Sequence, residues 1–101
     1  MTVSTRRSDS GQVLVIQVQG RFDFSTHQAF RDAYEHCDEP VKEYVVDLTH
    51  TTYLDSSALG MLLLLRDHAD GDVASVVIEN CNADVRRILS ISNFEQLFSI
   101  R

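Results

Sequence analysis

Hydrophobic and polar residues alternate from residue 12 to residue 19, a stretch that is rich in β-branched side chains and closed by Gly20. The alternation places three apolar side chains on one face: Leu14, Ile16 and Val18. A period of two residues is typical of a half-buried strand, so we predict one here. Residues 2–8 are polar but rich in Thr and Val, and residues 8–11 read Ser-Asp-Ser-Gly, which favours a turn. Together the two segments predict a hairpin whose first strand lies at a sheet edge.

Continuous apolar runs predict strands of a second kind, covered on both faces. Residues 44–48 read Tyr-Val-Val-Asp-Leu and residues 73–78 read Val-Ala-Ser-Val-Val-Ile. Runs of this length and composition are typical of buried parallel strands. Residues 98–100, Phe-Ser-Ile, predict a short last strand.

Apolar residues at helical spacing predict the first and third helices. Ser25 and Gln28 have the spacing of a capping box, in which the two side chains satisfy free backbone donors reciprocally. The apolar stripe of that helix follows: Phe30, Ala33, Tyr34 and Cys37. Residues 38–40, Asp-Glu-Pro, should end it in a loop.

Asn82 is expected to cap the third helix. Its stripe also has helical spacing: Val85, Ile88 and Leu89.

The second helix should begin near Ser56 and run to about His68, after a Thr-rich connection at residues 49–53 and before a polar turn at residues 67–72. It is apolar nearly all round for two turns. Two stripes compete for the core face: Leu59, Leu62 and Leu63 against Met61, Leu64 and Leu65. A helix of this kind must be covered on several sides, by its own sheet, by neighbouring helices or by a partner protein.

The predicted element order is β-β-α-β-α-β-α-β, without repeats or linkers. Strands that alternate with helices after an initial hairpin imply an α/β (α+β) fold, a four- to five-stranded mixed sheet with helices packed on it. The length of 101 residues suits one compact domain, so we expect residues 1–101 to form a single unit.

The formal net charge is -6, which disfavours binding to nucleic acids and to anionic membrane surfaces. Residues 1–7 lead into no apolar signal core, and the most apolar run, residues 58–65, is much shorter than the roughly 20 residues that a membrane span needs. Cys37 and Cys81 lack metal-type spacing, so we expect both to be reduced, small apolar residues. We therefore expect a cytoplasmic protein that is a monomer when free.

Three small polar residues precede the second helix directly: Asp55, Ser56 and Ser57. One interpretation is purely structural, because Asp and Ser are preferred N-caps. The other is functional. A hydroxyl at a helix N-terminus lies among free N–H groups and the positive end of the dipole, where a phosphate is tolerated without unfolding the domain.

A resemblance favours the functional interpretation. Residues 54–60, Leu-Asp-Ser-Ser-Ala-Leu-Gly, resemble the signature of the STAS family of bacterial anti-sigma factor antagonists, in which Asp-Ser-Ser-Gly-Leu-Gly is the common form. Residues 20–23, Gly-Arg-Phe-Asp, are similar to the family's Gly-Glu-Leu-Asp, and residues 45–48, Val-Val-Asp-Leu, to its Val-Leu-Asp-Leu. Two departures are Ala58 in place of the commoner Gly, and an end at Arg101 where many relatives continue into another helix.

The resemblance implies a scaffold rather than an enzyme, without a cofactor or a metal. Its unphosphorylated form would capture an anti-sigma factor or a serine kinase and release a sigma factor, and phosphorylation of Ser56 would abolish capture. A PP2C-type phosphatase would reverse the modification, and a response regulator carries these activities for some relatives. The residues expected to bind the partner lie at the second helix and the neighbouring loop: Asp23, Ser25, Asp55, Ser56, Ser57, Leu59, Gly60 and Met61.

Other chemistries find less support in the sequence. A serine hydrolase would need a Gly-x-Ser-x-Gly elbow around Ser56, and none is present. The acidic residues of segment 67–72 lack the ligand register of a calcium loop, and no Walker-type phosphate loop exists. The alternative that stays open is a STAS-type accessory subunit of an ABC lipid-transport ATPase complex, which would not be phosphorylated.

Overall fold

The computed structural model describes residues 3–8, 11–35, 41–71 and 75–101. Its strands are β1 (Val3–Arg7), β2 (Val13–Val18), β3 (Gly20–Phe22), β4 (Glu43–Asp47), β5 (Thr51–Leu54), β6 (Ser75–Glu79) and β7 (Ser99–Ile100). Its α-helices are α1 (His27–Glu35), α2 (Ser56–Gly71) and α3 (Ala83–Ile91), and short 3-10 helices occupy Phe24–Thr26 and Phe94–Gln96. The predicted order is confirmed, with one strand pair added.

The main sheet has five strands in the order β1-β2-β4-β6-β7. β1 pairs antiparallel with β2, and every other neighbouring pair is parallel. The predicted hairpin with an edge strand first, and the mixed sheet with helices packed on it, are therefore confirmed. β4 is central, and its residues 44–47 are all buried, as a strand covered on both faces requires.

A second, two-stranded sheet pairs β3 with β5 in parallel. The Thr-rich composition of residues 49–53 predicted only a connection there, and this prediction was wrong, because residues 51–54 form β5. Gly20, at φ +76°, turns the chain from β2 into β3, and its N–H donates to the His50 carbonyl oxygen at 2.9 Å. The buried Thr51 hydroxyl donates to the Val18 carbonyl oxygen at 2.7 Å. These bonds hold β5 beside β3, although neither strand has a long apolar run.

The core face of α2 contains residues from both predicted stripes. Its buried positions follow helical spacing: Ala58, Met61, Leu62, Leu65 and Ala69. Leu63 and Leu64, assigned to different stripes by the sequence, are both exposed. Neither stripe was right as a whole, because a helix that is apolar all round carries no periodicity that identifies its core face. α2 also continues to Gly71, so the predicted turn at residues 67–72 is helical as far as the structure describes it.

Of the two predicted helix caps, the one at the first helix was wrong and the one at the third helix is confirmed. Asp23, not Ser25, is the N-cap of the turn that leads into α1, and the Gln28 amide donates to Asp32 instead of reaching back. The capping-box prediction was wrong because the intervening 3-10 turn shifts the helix start to His27. Asn82 caps α3 as predicted, its side-chain oxygen accepting from the Val85 N–H at 2.8 Å. Cys37 and the predicted loop at residues 38–40 lie outside the described residues.

A polar cluster at the carboxyl end of β4 anchors the chain before β5. The buried Asp47 carboxylate accepts from the Gln17 amide at 3.1 Å, the Thr49 N–H at 3.0 Å and the Asn80 amide at 3.3 Å. Burial by itself would raise the pKa of Asp47, but the hydrogen bonds from Thr49, Gln17 and Asn80 outweigh it and lower the pKa to about 2. The cluster therefore orients the segment that leads to β5 and to the residues after it.

Candidate functional site

The parallel pairing of β3 and β5 brings two aspartates to the same edge. Phe22 and Leu54 are register partners at the ends of the two strands, and both are buried. Asp23 and Asp55 follow them directly. Because neighbouring strands lie about 5 Å apart, both carboxylates emerge side by side. The negative charge of Asp23 accordingly acts to raise the pKa of Asp55.

Asp55 closes the N-terminus of α2. Its Oδ1 accepts from the Ser57 hydroxyl at 2.6 Å and from the Ala58 N–H at 3.1 Å, and its carbonyl oxygen accepts from the Leu59 N–H at 3.2 Å. The Ser57 hydroxyl is the main cause of a lowered pKa at Asp55; burial opposes it, and the Ala58 N–H supports it. Asp55 is therefore an ionised N-cap at neutral pH, as Asp at this position favours.

Ser56 occupies the first position of the 16-residue helix α2 and is exposed. Within the described parts of the chain, no hydrogen bond joins its hydroxyl to another residue, whereas the half-buried Ser57 donates its hydroxyl to Asp55. The positive end of the helix dipole lies at this turn and favours an added anion. Of the two adjacent serines, Ser56 is therefore the exposed one, and its hydroxyl makes no hydrogen bond to the described residues.

Asp23 makes a matching cap on the neighbouring strand. Its Oδ1 accepts from the Ser25 hydroxyl at 2.5 Å and from the Ser25 N–H at 3.0 Å, and its Oδ2 pairs with Arg21 at 3.2 Å. The Ser25 hydroxyl, and then Arg21, hold the pKa of Asp23 below its usual value. Ser25 itself is exposed. The structure thus brings together four residues that the resemblance implied: Asp23, Ser25, Asp55 and Ser56.

Aromatic side chains beside these residues were missed by the sequence analysis. Phe24 is 73% exposed and stacks on His27 with ring centroids 5.6 Å apart. Tyr53 is 43% exposed and lies under the Arg21 guanidinium, 4.5 Å from the ring centroid. A signal was available at Phe24, since it falls outside the apolar stripe of the helix that follows it.

The remaining predicted site residues lie farther along α2. Leu59 is half-buried against the core and Gly60 is exposed. Met61 is only 4% exposed and belongs to the core cluster. We therefore correct its assignment. The position of Met61 in the helical period points its side chain into the core, so Met61 is a packing residue and not a partner-binding residue.

The described residues do not form the metal site or the calcium loop that were considered from the sequence. Among the described residues, no group of three or more His, Cys, Asp or Glu side chains is arranged to hold a metal ion. The segment considered as a calcium loop is helical up to Gly71. His68 lies between the rings of Tyr34 and Tyr44, with centroids 5.0 and 6.0 Å away, and is a packing residue. In the same parts of the chain no helix is long and apolar enough to cross a membrane.

Comparisons with known proteins agree on the family. The family model described as "Mlab, STAS domain" matches residues 5–99. A STAS-domain containing protein of Pseudomonas aeruginosa (strain UCBPP-PA14) is 61% identical over 100 residues, which cover 99% of each chain.

Solved structures agree on the fold. A candidate anti-sigma factor antagonist from Thermotoga maritima superimposes with a TM-score of 0.84 at 16% identity, covering 97% of this chain and 84% of that one. An anti-sigma factor antagonist from Mycobacterium paratuberculosis gives 0.76 at 20% identity, with 97% and 84% covered. A sulfate transporter family protein from Wolinella succinogenes gives 0.79 at 11% identity, with 91% and 80% covered. At such identities the likeness establishes a shared fold, which serves more than one biological role.

Proposed function

The chain belongs to the STAS-domain family, and from that premise we propose that it is an anti-sigma factor antagonist switched by phosphorylation of Ser56. The unphosphorylated form binds an anti-sigma factor or a switch kinase, and a sigma factor is released. Phosphate on Ser56 abolishes binding, and a PP2C-type phosphatase restores it. A response regulator carrying the kinase or phosphatase activity fits the same scheme, which operates in the cytoplasm.

The observation that carries the proposal is the contrast between the two serines at the start of α2. Ser56 is exposed, whereas Ser57 is half-buried and donates its hydroxyl to Asp55 at 2.6 Å. A kinase must align the acceptor oxygen with the transferred phosphoryl group. It can reach Ser56 without breaking the cap of α2. Ser56 is therefore the acceptor in our proposal, and Ser57 and Asp55 hold the helix start that presents it.

Phosphate at Ser56 would leave the fold intact and change its surface. It adds about -1.5 to -2 charge units at the positive end of a helix dipole, where an anion is stabilised locally. The negatively charged Asp55 and Asp23 lie close by, and among the described residues a single ion pair, from Arg21 to Asp23, offsets their charge. The modified surface would thus be strongly anionic.

The same charge explains loss of binding. A kinase presents nucleotide phosphates and an acidic catalytic residue to the acceptor hydroxyl, so a phosphate already on Ser56 meets like charge. Two unit charges about 4 Å apart repel by roughly 4 kcal/mol at an effective dielectric of about 20. Half of that repulsion exceeds the roughly 1.4 kcal/mol that corresponds to a tenfold change in affinity. No domain-scale rearrangement is needed.

The test is a binding assay with Ser56→Ala, Ser56→Asp and the matched control Ser57→Ala. We expect Ser56→Ala to keep partner capture and Ser56→Asp to weaken it at least tenfold. Incubation with the kinase and ATP should add one phosphate to the wild type and to Ser57→Ala, but none to Ser56→Ala, as measured by intact mass. Equal affinity of the Ala and Asp variants would refute the switch.

Copurification from the native host separates the proposal from its rival. An anti-sigma factor or a serine kinase should be recovered with the chain. Recovery of an ABC-type ATPase subunit instead would support the second candidate, an accessory subunit of a lipid-transport complex, in which Ser56 stays unmodified.

A further inference from the structure

The outer side of β1 is an open edge of the main sheet. β1 is the first strand in the sheet order, so within the described residues only β2 pairs with it. Its register with β2 runs without a shift from Val3 to Arg7, and the strand contains no proline. Prolines and β-bulges are common devices that keep an edge strand from pairing with another chain. β1 has neither, so it can accept a further strand.

The hydrogen bonds of the hairpin show which backbone groups of β1 point outward. The Ser8 N–H donates to the Val13 carbonyl oxygen at 3.0 Å, which makes these residues a hydrogen-bonded pair. Hydrogen-bonded and non-hydrogen-bonded pairs alternate along an antiparallel ladder. The backbone groups of Val3, Thr5 and Arg7 are therefore directed away from β2, toward the open edge.

A groove of about 490 Å³ lies beside this edge, between β1 and α1. Small and apolar side chains dominate its lining: Val3, Ser4, Thr5, Ala29, Asp32 and Ala33. The side chains of Val3 and Thr5 are on the helix-covered face of the sheet, since their register partners Val18 and Ile16 belong to the core. A strand added at the edge would place alternate side chains over the groove.

A second copy of β1 is complementary to this edge by symmetry. In an antiparallel two-fold pairing centred on Thr5, each Thr5 faces the other, a favourable cross-strand contact. Val3 then faces Arg7, so every outward-directed residue meets another outward-directed residue. On the opposite face of the sheet, Ser4 faces Arg6. No arginine is directly opposite another arginine in this register.

Charge complementarity favours the same pairing. The register sets Arg7 of one copy opposite Val3 of the other, and the exposed Asp32 lines the groove together with Val3. Two-fold symmetry makes this contact twice, so opposite charges meet at both ends of the paired strands. The net charge of -6 opposes association only over longer distances, where salt screens it.

We propose that two copies of this chain associate by antiparallel pairing of their β1 strands about Thr5, which joins the two sheets edge to edge and sets Arg7 of each copy against Asp32 of the other. The proposal departs from the free monomer that the sequence led us to expect. The paired segment is short, so the dimer is weak. None of these residues belongs to the candidate site around Ser56, and the dimer therefore carries two such sites.

Sedimentation equilibrium over a range of protein concentrations tests the pairing. The average mass of the wild type should rise with concentration from 11.4 kDa toward twice that value. Thr5→Pro removes an outward N–H that β2 does not use, so the concentration of half-association should rise roughly tenfold or more while the urea midpoint stays near that of the wild type. Thr5→Val, the matched control, keeps the N–H and should shift that concentration by no more than about threefold.

An exchange of charges tests the register. Arg7→Glu and Asp32→Arg should each weaken self-association roughly tenfold or more, because each homodimer then brings like charges together at both ends. An equimolar mixture of the two variants should associate about as tightly as the wild type, since opposite charges meet again at both ends. Urea denaturation shows whether each variant is folded; if either is not, the comparison of the two Thr5 variants decides alone.

A wild type that keeps the monomer mass up to about 1 mM would overturn the inference. Dimerisation that Thr5→Pro leaves unchanged would overturn it too, as would failure of the folded charge variants to associate when mixed. If the wild type stayed monomeric and lost a copurifying protein only in Thr5→Pro, the edge would belong to a strand of that protein and not to a second copy. The Ser56 switch is independent of all these results.

Discussion

Two strand-to-helix junctions lie side by side in this domain and are built on one plan. At each, a buried apolar residue ends a short parallel strand, an aspartate follows, and a serine two residues on donates its hydroxyl to that aspartate: Phe22, Asp23 and Ser25 against Leu54, Asp55 and Ser57. The residue between aspartate and serine is exposed in both. It is Phe24 in one and Ser56 in the other.

The junctions differ in what they introduce. Asp23 leads into a three-residue 3-10 helix, whereas Asp55 leads straight into the 16-residue helix α2. Only the second therefore sets an exposed hydroxyl at the end of a long helix dipole. The aspartate and the capping serine are therefore the structural frame that both junctions share. The exposed residue between them, Phe24 or Ser56, makes the two junctions chemically different.

The largest expected effect comes from removing the apolar residue that ends either strand. Phe22 and Leu54 are 0% and 1% exposed, and Phe22 also packs on Phe30 with ring centroids 5.0 Å apart. We expect Phe22→Ala to lower the free energy of unfolding by about 3–5 kcal/mol and Leu54→Ala by about 2–5 kcal/mol, measured by urea denaturation.

The control for this pair is Phe24→Ala, one residue beyond the first aspartate. Its side chain is 73% exposed, so its loss should change the free energy of unfolding by no more than about 0.5 kcal/mol. If Phe24→Ala lowered the free energy of unfolding as much as Phe22→Ala does, the buried ends of the paired strands would not be what anchors the junctions.

A smaller effect should separate the two caps. Asp55→Ala removes the acceptor of the Ala58 N–H at the start of α2, and we expect the free energy of unfolding to fall by about 1 kcal/mol. Asp23→Ala should cost less, because it closes only a short 3-10 turn. Asp55→Asn should recover most of the loss, since Asn caps about as well as Asp. If Asp23→Ala lowered the free energy of unfolding as much as Asp55→Ala or more, the assigned difference between the two caps would be contradicted.

The smallest effect is electrostatic and tests whether the two carboxylates interact. The charge of Asp23 acts to raise the pKa of Asp55, so Asp23→Asn should lower the pKa of Asp55 further, as followed by NMR titration of the side-chain carboxyl group. A carboxylate with a lowered folded-state pKa stabilises the fold above its unfolded pKa and loses that contribution as pH falls through the folded value. In this variant, the pH range in which Asp55 loses its contribution to the stability of the fold should therefore move to lower values.

Asp84→Asn, which changes an exposed acid in the first turn of α3, is the matched control and should leave the titration of Asp55 where it was. An unchanged pKa of Asp55 in Asp23→Asn would mean that the two junctions are electrostatically independent, and a raised pKa would contradict the assigned sign of their interaction.

Much of the architecture was accessible from local pattern. The alternation at residues 12–19 predicted β2, the apolar runs predicted β4 and β6, and Asn82 was identified as the cap of α3. Each of these features depends on residues that are close in sequence and has a period of its own. The motif around Ser56 is likewise a short string of residues, so its resemblance to the STAS signature is visible in the sequence alone.

The tertiary structure decided what local pattern leaves undetermined. The β3–β5 pair joins segments about 30 residues apart through bonds such as Gly20 N–H to His50, and no periodicity encodes such a pairing. The core face of α2 could not be read from a helix that is apolar all round, so the exposure of Leu63 and Leu64 and the burial of Met61 became known only from the packing. Sequence determined the elements that have a period of their own and the candidate hydroxyl, because both are local. Which serine is accessible, which aspartates meet and which helix face stays open depend on contacts between distant segments, and only the folded chain makes those contacts.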